Sequence, residues 1–244
     1  MTSKHIQIGI AVLLALALLR VGWSYHQRSQ PVPAPKQQVT YSSNLDDYVR
    51  PHKLYSWDLK SAKKDLAGKT VWISAGNALA YYPYSAGQTS LRAKAGLLAP
   101  LEKIEIRDVV LQRAPAALHP GQIAVVKYEI LAVFHRSGEP GEYAFSIGSA
   151  VGDSYNFTVN QEIFIDDPHD LYKHWPVEVW TAIDHHEVKN GMSELQAGFA
   201  LGTNANITSG DYGNRTIEYA NAGKPVAVTF ANNKAVQIVP GRAL

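Results

Sequence analysis

The chain has 244 residues, of which 46% are hydrophobic and 18% charged, with a formal net charge of +2. That length allows one large or two small domains, and the near-neutral balance lacks the clustered basic face that nucleic-acid binding requires. Cysteine is absent, which excludes disulfides, thiol nucleophiles, thiolate metal sites and a lipid-modified N-terminal cysteine.

Residues 1–5 form a short tail. Ile6 to Tyr25 reads as a membrane-spanning anchor. No polar residue interrupts Ile8 to Leu19, and Trp23 and Tyr25 suit a lipid–water interface. About twenty helical residues at ~1.5 Å each cover about 30 Å, the thickness of the hydrocarbon layer. Arg20 can snorkel outward from its end. No small-x-small cleavage site follows, so the segment reads as uncleaved. A short tail ahead of a long domain favours a signal-anchor, with the protein single-pass in the cytoplasmic membrane and its bulk periplasmic or otherwise extracytoplasmic. A positive-inside count of Lys4 against Arg20, Arg28 and Lys36 points the other way.

Residues 26–67 form a linker and lead-in. Pro31, Pro33 and Pro35 favour an extended, semi-rigid spacer. Residues 68–168 read as a β-rich domain. Thr70 to Ser74 is a strand, and Pro83 confines Ala80–Tyr84 to an edge strand or loop. Ile104 and Ile106 alternate with Glu105 and Arg107, the mark of a half-buried strand. Ile123 to His135 is apolar enough for a central strand. Tyr143–Ile147, Tyr155–Val159 and Glu162–Ile165 are short strands separated by turns. Asp167-Pro168 then signals a helix start.

Residues 169–244 begin with a helix over Val177–His186, in which Val179, Trp180, Ile183 and His186 share a face. Ser193 is the N-cap of a second helix and Gly202 ends it. A polar loop spans Thr203–Asn214. Three strands follow at Thr216–Ala220, Pro225–Phe230 and Ala235–Val239, with Asn/Gly turns between them.

Two resemblances attach to these patterns. GKTVWISAGN followed by GLLAPLEKIEIRDV resembles bacterial SH3-like domains. Gly191, Met192 and Gln196, then Leu201-Gly202, then Val228, Phe230, Asn232, Asn233, Lys234, Val236 and Ile238, resemble the SmpA/OmlA family of small outer-membrane lipoproteins. Thr203-Asn204 stand where that family often has proline. Together with the apolar anchor and the run of short strands joined by Gly/Pro turns, which argue for a small antiparallel barrel or rolled sheet, the resemblances give an α+β fold class: a transmembrane helix, a small antiparallel β-barrel of SH3-like form, then two helices packed on a three-stranded antiparallel sheet. The second also implies an envelope location.

Two groups of side chains are candidates for chemistry. Asp166, Asp167, His169, Asp170 and His174, followed by Asp184, His185, His186 and Glu187, carry the oxygen and nitrogen donors that zinc or manganese accepts. Their spacing fits no H-E-x-x-H helix, since His185 and His186 are neighbours and point about 100° apart. Helix capping and surface placement account for the same residues. Tyr81, Tyr82 and Tyr84 offer a ledge for a peptide or glycan, or else pack into the barrel. No G-x-S-x-G elbow, G-x-G-x-x-G or Walker loop occurs. The reading is therefore a non-enzymatic, membrane-anchored module that needs no cofactor. It would touch the bilayer through residues 6–25 and bind an envelope protein or peptide. The alternative is a metal-dependent hydrolase built on the cluster at 166–187.

Overall fold

The computed structural model describes residues 19–23, 26, 45–114, 128–136, 138–208 and 210–242. The chain divides into two units, Met1–Asn44 and Leu45–Leu244. Of the anchor expected over residues 6–25, only 19–23 are described, and the proline-rich spacer lies wholly outside the described residues. Among the described residues no helix is long and apolar enough to cross a membrane. Crossing takes about 20 continuous apolar helical residues. On that finding the expected single-pass anchor is not borne out among the described residues; residues 6–18 and 24–25 of it lie outside them. The same holds for its place in the fold class and for the cytoplasmic-membrane location derived from it.

The second unit is α+β and opens with a 3-10 turn, Leu45–Tyr48. Helix α1 (Leu59–Leu66) follows. It starts where it does because Asp58 accepts from the Ser61 amide and the Ser61 side chain reaches back to the Asp58 amide, a reciprocal capping box. Ala62 and Leu66 of α1 are fully buried against the first sheet.

That sheet is built from β1 (Thr70–Ile73), β2 (Ala80–Ser85), β3 (Gln88–Thr89), β4 (Gly96–Leu97), β5 (Lys103–Arg113), β6 (Tyr128–His135), β7 (Glu142–Val151), β8 (Ser154–Phe157) and β9 (Ile163–Phe164). All the pairings are antiparallel, in the order β3-β2-β7-β6-β5-β1-β9, with β4 also on β2 and β8 also on β7. Among the described residues the expected barrel is not closed, because β3 and β9 do not pair with each other. Each has only two residues, too short for a ladder that closes a sheet on itself.

Strand β5 buries Ile104, Ile106 and Val109 and exposes Lys103, Glu105 and Arg107. A register shift between Ile106 and Asp108 lets the strand bend. Strand β6 is buried on both faces. Ile130, Ala132 and Phe134 enter the main core, and Leu131 and Val133 meet Ala144, Tyr84, Leu91 and Val110 on the opposite side. Each large side chain taken fully from water there contributes about 1.5–3 kcal/mol.

Three short or medium helices follow: α2 (Val159–Glu162), α3 (Pro168–Leu171) and α4 (Val177–Asp184). Asp167 caps α3 by accepting from the His169 amide, with Pro168 at its first turn. Helix α4 stops at Asp184, two residues before the sequence expectation, and His186 turns the chain at φ 56°. Helix α5 (Glu194–Leu201) has a second capping box, Ser193 with Gln196, and ends at Gly202.

Helices α4 and α5 share a core with the second sheet, which runs β10 (Ala205–Ile207), β11 (Thr216–Tyr219), β12 (Val226–Ala231) and β13 (Lys234–Pro240). It has four strands, not three. The extra strand lies in the stretch expected as a polar loop, where Ala205–Ile207 pairs with Ile217–Tyr219. Tyr172, Trp175, Trp180 and Phe199 cluster with ring centroids 4.5–5.3 Å apart. Phe164 of β9 meets Phe199 of α5 at 5.5 Å, which links the two layers.

Among the described residues two buried side-chain atoms lack a hydrogen-bond partner, the Thr89 hydroxyl and one Glu162 oxygen. Thr89 is 5% exposed, and its hydroxyl makes no hydrogen bond. Its main chain is satisfied instead by the Gln112 amide, which accepts from the Thr89 N–H at 2.7 Å and donates to its carbonyl at 2.6 Å. Replacing the orphan hydroxyl by a methyl group, Thr89→Val, is expected to leave stability unchanged or raise it by up to about 1 kcal/mol in chemical denaturation. A loss of that size would show that the hydroxyl is satisfied.

Candidate functional site

The two layers meet where the chain after β1 crosses the end of α5. The Asn77 side chain donates to the Leu201 carbonyl at 2.8 Å, and the Thr203 N–H donates to the Gly76 carbonyl at 2.9 Å. Gly202 holds φ 89°, and a Cβ there would lie 2.2 Å from the Gly76 oxygen, so only glycine fits. Asn77, at φ 60°, is in the left-handed region that asparagine tolerates.

A cleft of about 450 Å³ opens beside this crossing, lined by Asn77, Leu97, Asn204, Ala220, Ala222, Gly223 and Pro225. One wall comes from the first sheet and the other from the turn between β11 and β12. Asn221, Ala222 and Gly223 all have positive φ (41°, 50° and 88°) in that turn. Alanine at such an angle costs about 1–2 kcal/mol. The lining has apolar surface and two side-chain amides but no ionisable group. It therefore supplies shape and hydrogen bonds, and no acid, base or nucleophile.

The Asp/His residues are distributed over separate contacts. The His169 ring lies over the Trp180 indole with centroids 4.0 Å apart. Its Nδ1 faces Asp167 at 3.1 Å and its Nε2 faces Asp184 at 3.3 Å. These contacts use both ring nitrogens and tie α3 to α4. His174 turns away to Asp46 (2.7 Å), whose carboxylate also accepts from the Trp175 indole at 2.7 Å. Asp166 accepts from the His52 amide at 2.8 Å. Asp170 lies exposed in the first turn of α3, where a negative charge favours the helix. Among the described residues no group of three or more His, Asp or Glu side chains could hold a metal ion.

The three tyrosines do not form one ledge, because a strand alternates its faces. Tyr81 is buried against Phe134 and Tyr143 and accepts a hydrogen bond from Arg136 at 2.8 Å. Tyr84 packs on Leu131, Val133 and Ala144 on the opposite face, and Tyr82 is half-buried. Burial raises the Tyr84 pKa above its usual range, with Asp108 and Glu142 adding to the effect.

Sequence reasoning did not single out the Glu194–Arg215 pair. Glu194 opens α5 and is 6% exposed. Arg215 grips its carboxylate, and the Gly213 N–H donates to it at 2.8 Å. The Glu194 N–H in turn donates to the Asn233 side chain at 3.1 Å. The pair fastens the loop before β11 and the β12–β13 turn to the helix. The bond to Glu194 raises the Arg215 pKa further above its already high value. An acidic residue in the first turn of a helix reads as a surface residue, so the sequence held no signal of this pair.

Comparison of the chain with protein-family models, characterised proteins and solved structures gives no match.

Removing one partner of a buried ion pair leaves the other charge uncompensated. Arg215→Ala is expected to lower unfolding stability by about 3–5 kcal/mol. Glu194→Gln in the same background should recover part of that loss, as a double-mutant cycle in denaturant would measure.

Proposed function

We propose that residues 45–244 form a non-enzymatic binding module for a protein or peptide, with the cleft between the two sheets as its ligand site. The carrying observation is the neutral lining of that cleft, from Asn77 and Leu97 on one side to Ala220 and Pro225 on the other. Leu97, Ala220 and Pro225 give a contact for small apolar side chains. Asn204 presents an exposed amide, which matches the hydrogen-bonding groups of a peptide main chain, beside Asn77, whose NH2 is held by the Leu201 carbonyl. The matching ligand is an extended, uncharged stretch of polypeptide.

The order of α4, α5, Gly202 and an antiparallel sheet supports reading the C-terminal part as an SmpA/OmlA-like module. The αβ layers would then act as a scaffold that holds the cleft in shape, since a fold of this kind does not itself dictate chemistry.

Titration of the isotope-labelled full chain with a panel of uncharged and charged peptides tests the site. Uncharged, small-residue peptides should shift the amide resonances of Asn77, Asn204, Ala220 and Gly223. Leu97→Trp should abolish those shifts without lowering the melting temperature by more than a few degrees. Shifts confined to other surfaces, or undiminished in Leu97→Trp, would count against the cleft.

A further inference from the structure

Glu162, the last residue of α2, lies where three parts of the fold are stitched together. Its main-chain carbonyl accepts from the Ser74 N–H at 2.8 Å and the Ala75 N–H at 3.2 Å, just beyond the end of β1. Two residues earlier, the Asn160 side chain pairs with the main chain of Leu54 in both directions. It accepts from the Leu54 N–H at 2.8 Å and donates to the Leu54 carbonyl at 2.7 Å. One turn of helix thus pins the extended segment that leads from the Leu45–Tyr48 turn to α1.

The carboxyl of Glu162 is poorly provided for. One oxygen accepts from the Thr158 hydroxyl at 2.6 Å. The other is buried with no partner. On β6, Glu129 accepts from the Ser146 hydroxyl at 2.6 Å and adds a like charge. Glu129 adds to the effect of burial on Glu162. The Ser74 and Ala75 amides bond to the main-chain carbonyl and leave the carboxyl unneutralised.

We propose that α2 and the segment pinned to it form a pH-operated latch, closed while Glu162 is protonated and opened when it ionises. Opening separates Leu54 from Asn160, and Ser74 and Ala75 from Glu162. It frees a segment that carries Tyr55 and Trp57, which are 77% and 76% exposed even in the closed form.

Burial pushes the Glu162 pKa up to about 7 from its ordinary 4.5; the Thr158 bond opposes this and Glu129 reinforces it. The closed state therefore binds the proton more tightly than the open one. Its advantage is complete below the ordinary value and is lost as pH rises through the raised one. The opening constant should climb about tenfold per pH unit between roughly pH 5 and 7 and level off above.

Amide hydrogen exchange in the full chain, followed by NMR from pH 5.5 to 8.5 and corrected for intrinsic exchange, tests this. Protection at Leu54, Ser74 and Ala75 should fall at least tenfold across that range, while Phe134 at the centre of the sheet holds its protection. Glu162→Gln should remove the pH dependence. Glu129→Gln should keep it and move it to lower pH. A flat profile in the unaltered chain, a profile that survives in Glu162→Gln, or an unmoved one in Glu129→Gln would overturn the latch.

Discussion

Two backbones cross at van der Waals distance where Gly76 and Asn77 meet Leu201 to Thr203, and the rest of the second unit depends on that crossing. No side chain fits on Gly202 or on Gly76 there. A Cβ on Gly202 would meet the Gly76 oxygen at 2.2 Å, and one on Gly76 would meet the Cα of Pro100 at 2.2 Å. The approach allows the Asn77 and Thr203 hydrogen bonds to form across the seam. These bonds satisfy the Leu201 and Gly76 carbonyls, which would otherwise be left without partners at a helix end and in a tight turn.

The consequences spread outward from the seam. With the end of α5 fixed beside β1, Phe164 of β9 reaches Phe199 and joins the edge of the first sheet to the second core. The start of the same helix is held from the other side by Arg215 and Gly213 through Glu194. Helix α5 is thus fastened at both ends, by backbone proximity at one and by a buried ion pair at the other. The segment from Asp46 to Leu54 adds a third connection. It runs from the Trp175 indole past Asp166 to Asn160, and so spans both layers. The cleft opens beside this crossing, with Asn77 and Asn204 next to the seam in its lining.

Much of the local structure was legible because it depends on near neighbours. The alternation of Ile104 and Ile106 with charged residues marks β5, and that of Val226, Val228 and Phe230 marks β12. Ser193 with Gln196, and Asp167 with Pro168, mark helix starts through contacts only two or three residues long. What was illegible depends on residues far apart in the chain. Strand β10 has too little periodicity to declare itself and exists because β11 lies beside it. Barrel closure failed because it hinges on edge strands of two residues, whose length the sequence does not announce. The burial of Glu194 requires Arg215 to arrive from a loop. The Asp/His residues share a short stretch of sequence, yet their partners lie on α4, in the Leu45–Tyr48 turn and on His52, which divides them. Tyr81 and Tyr84 were separable in principle, since three residues along a strand place side chains on opposite faces.

The most direct test of the seam is the thermal and denaturant unfolding of Gly202→Ala in the full chain. If the crossing is as close as described, the added methyl group forces the backbones apart at a position that already has positive φ. Stability should then fall by about 2–4 kcal/mol. An unfolding transition indistinguishable from that of the unaltered chain would contradict the account, because it would show that the two layers do not rely on this contact.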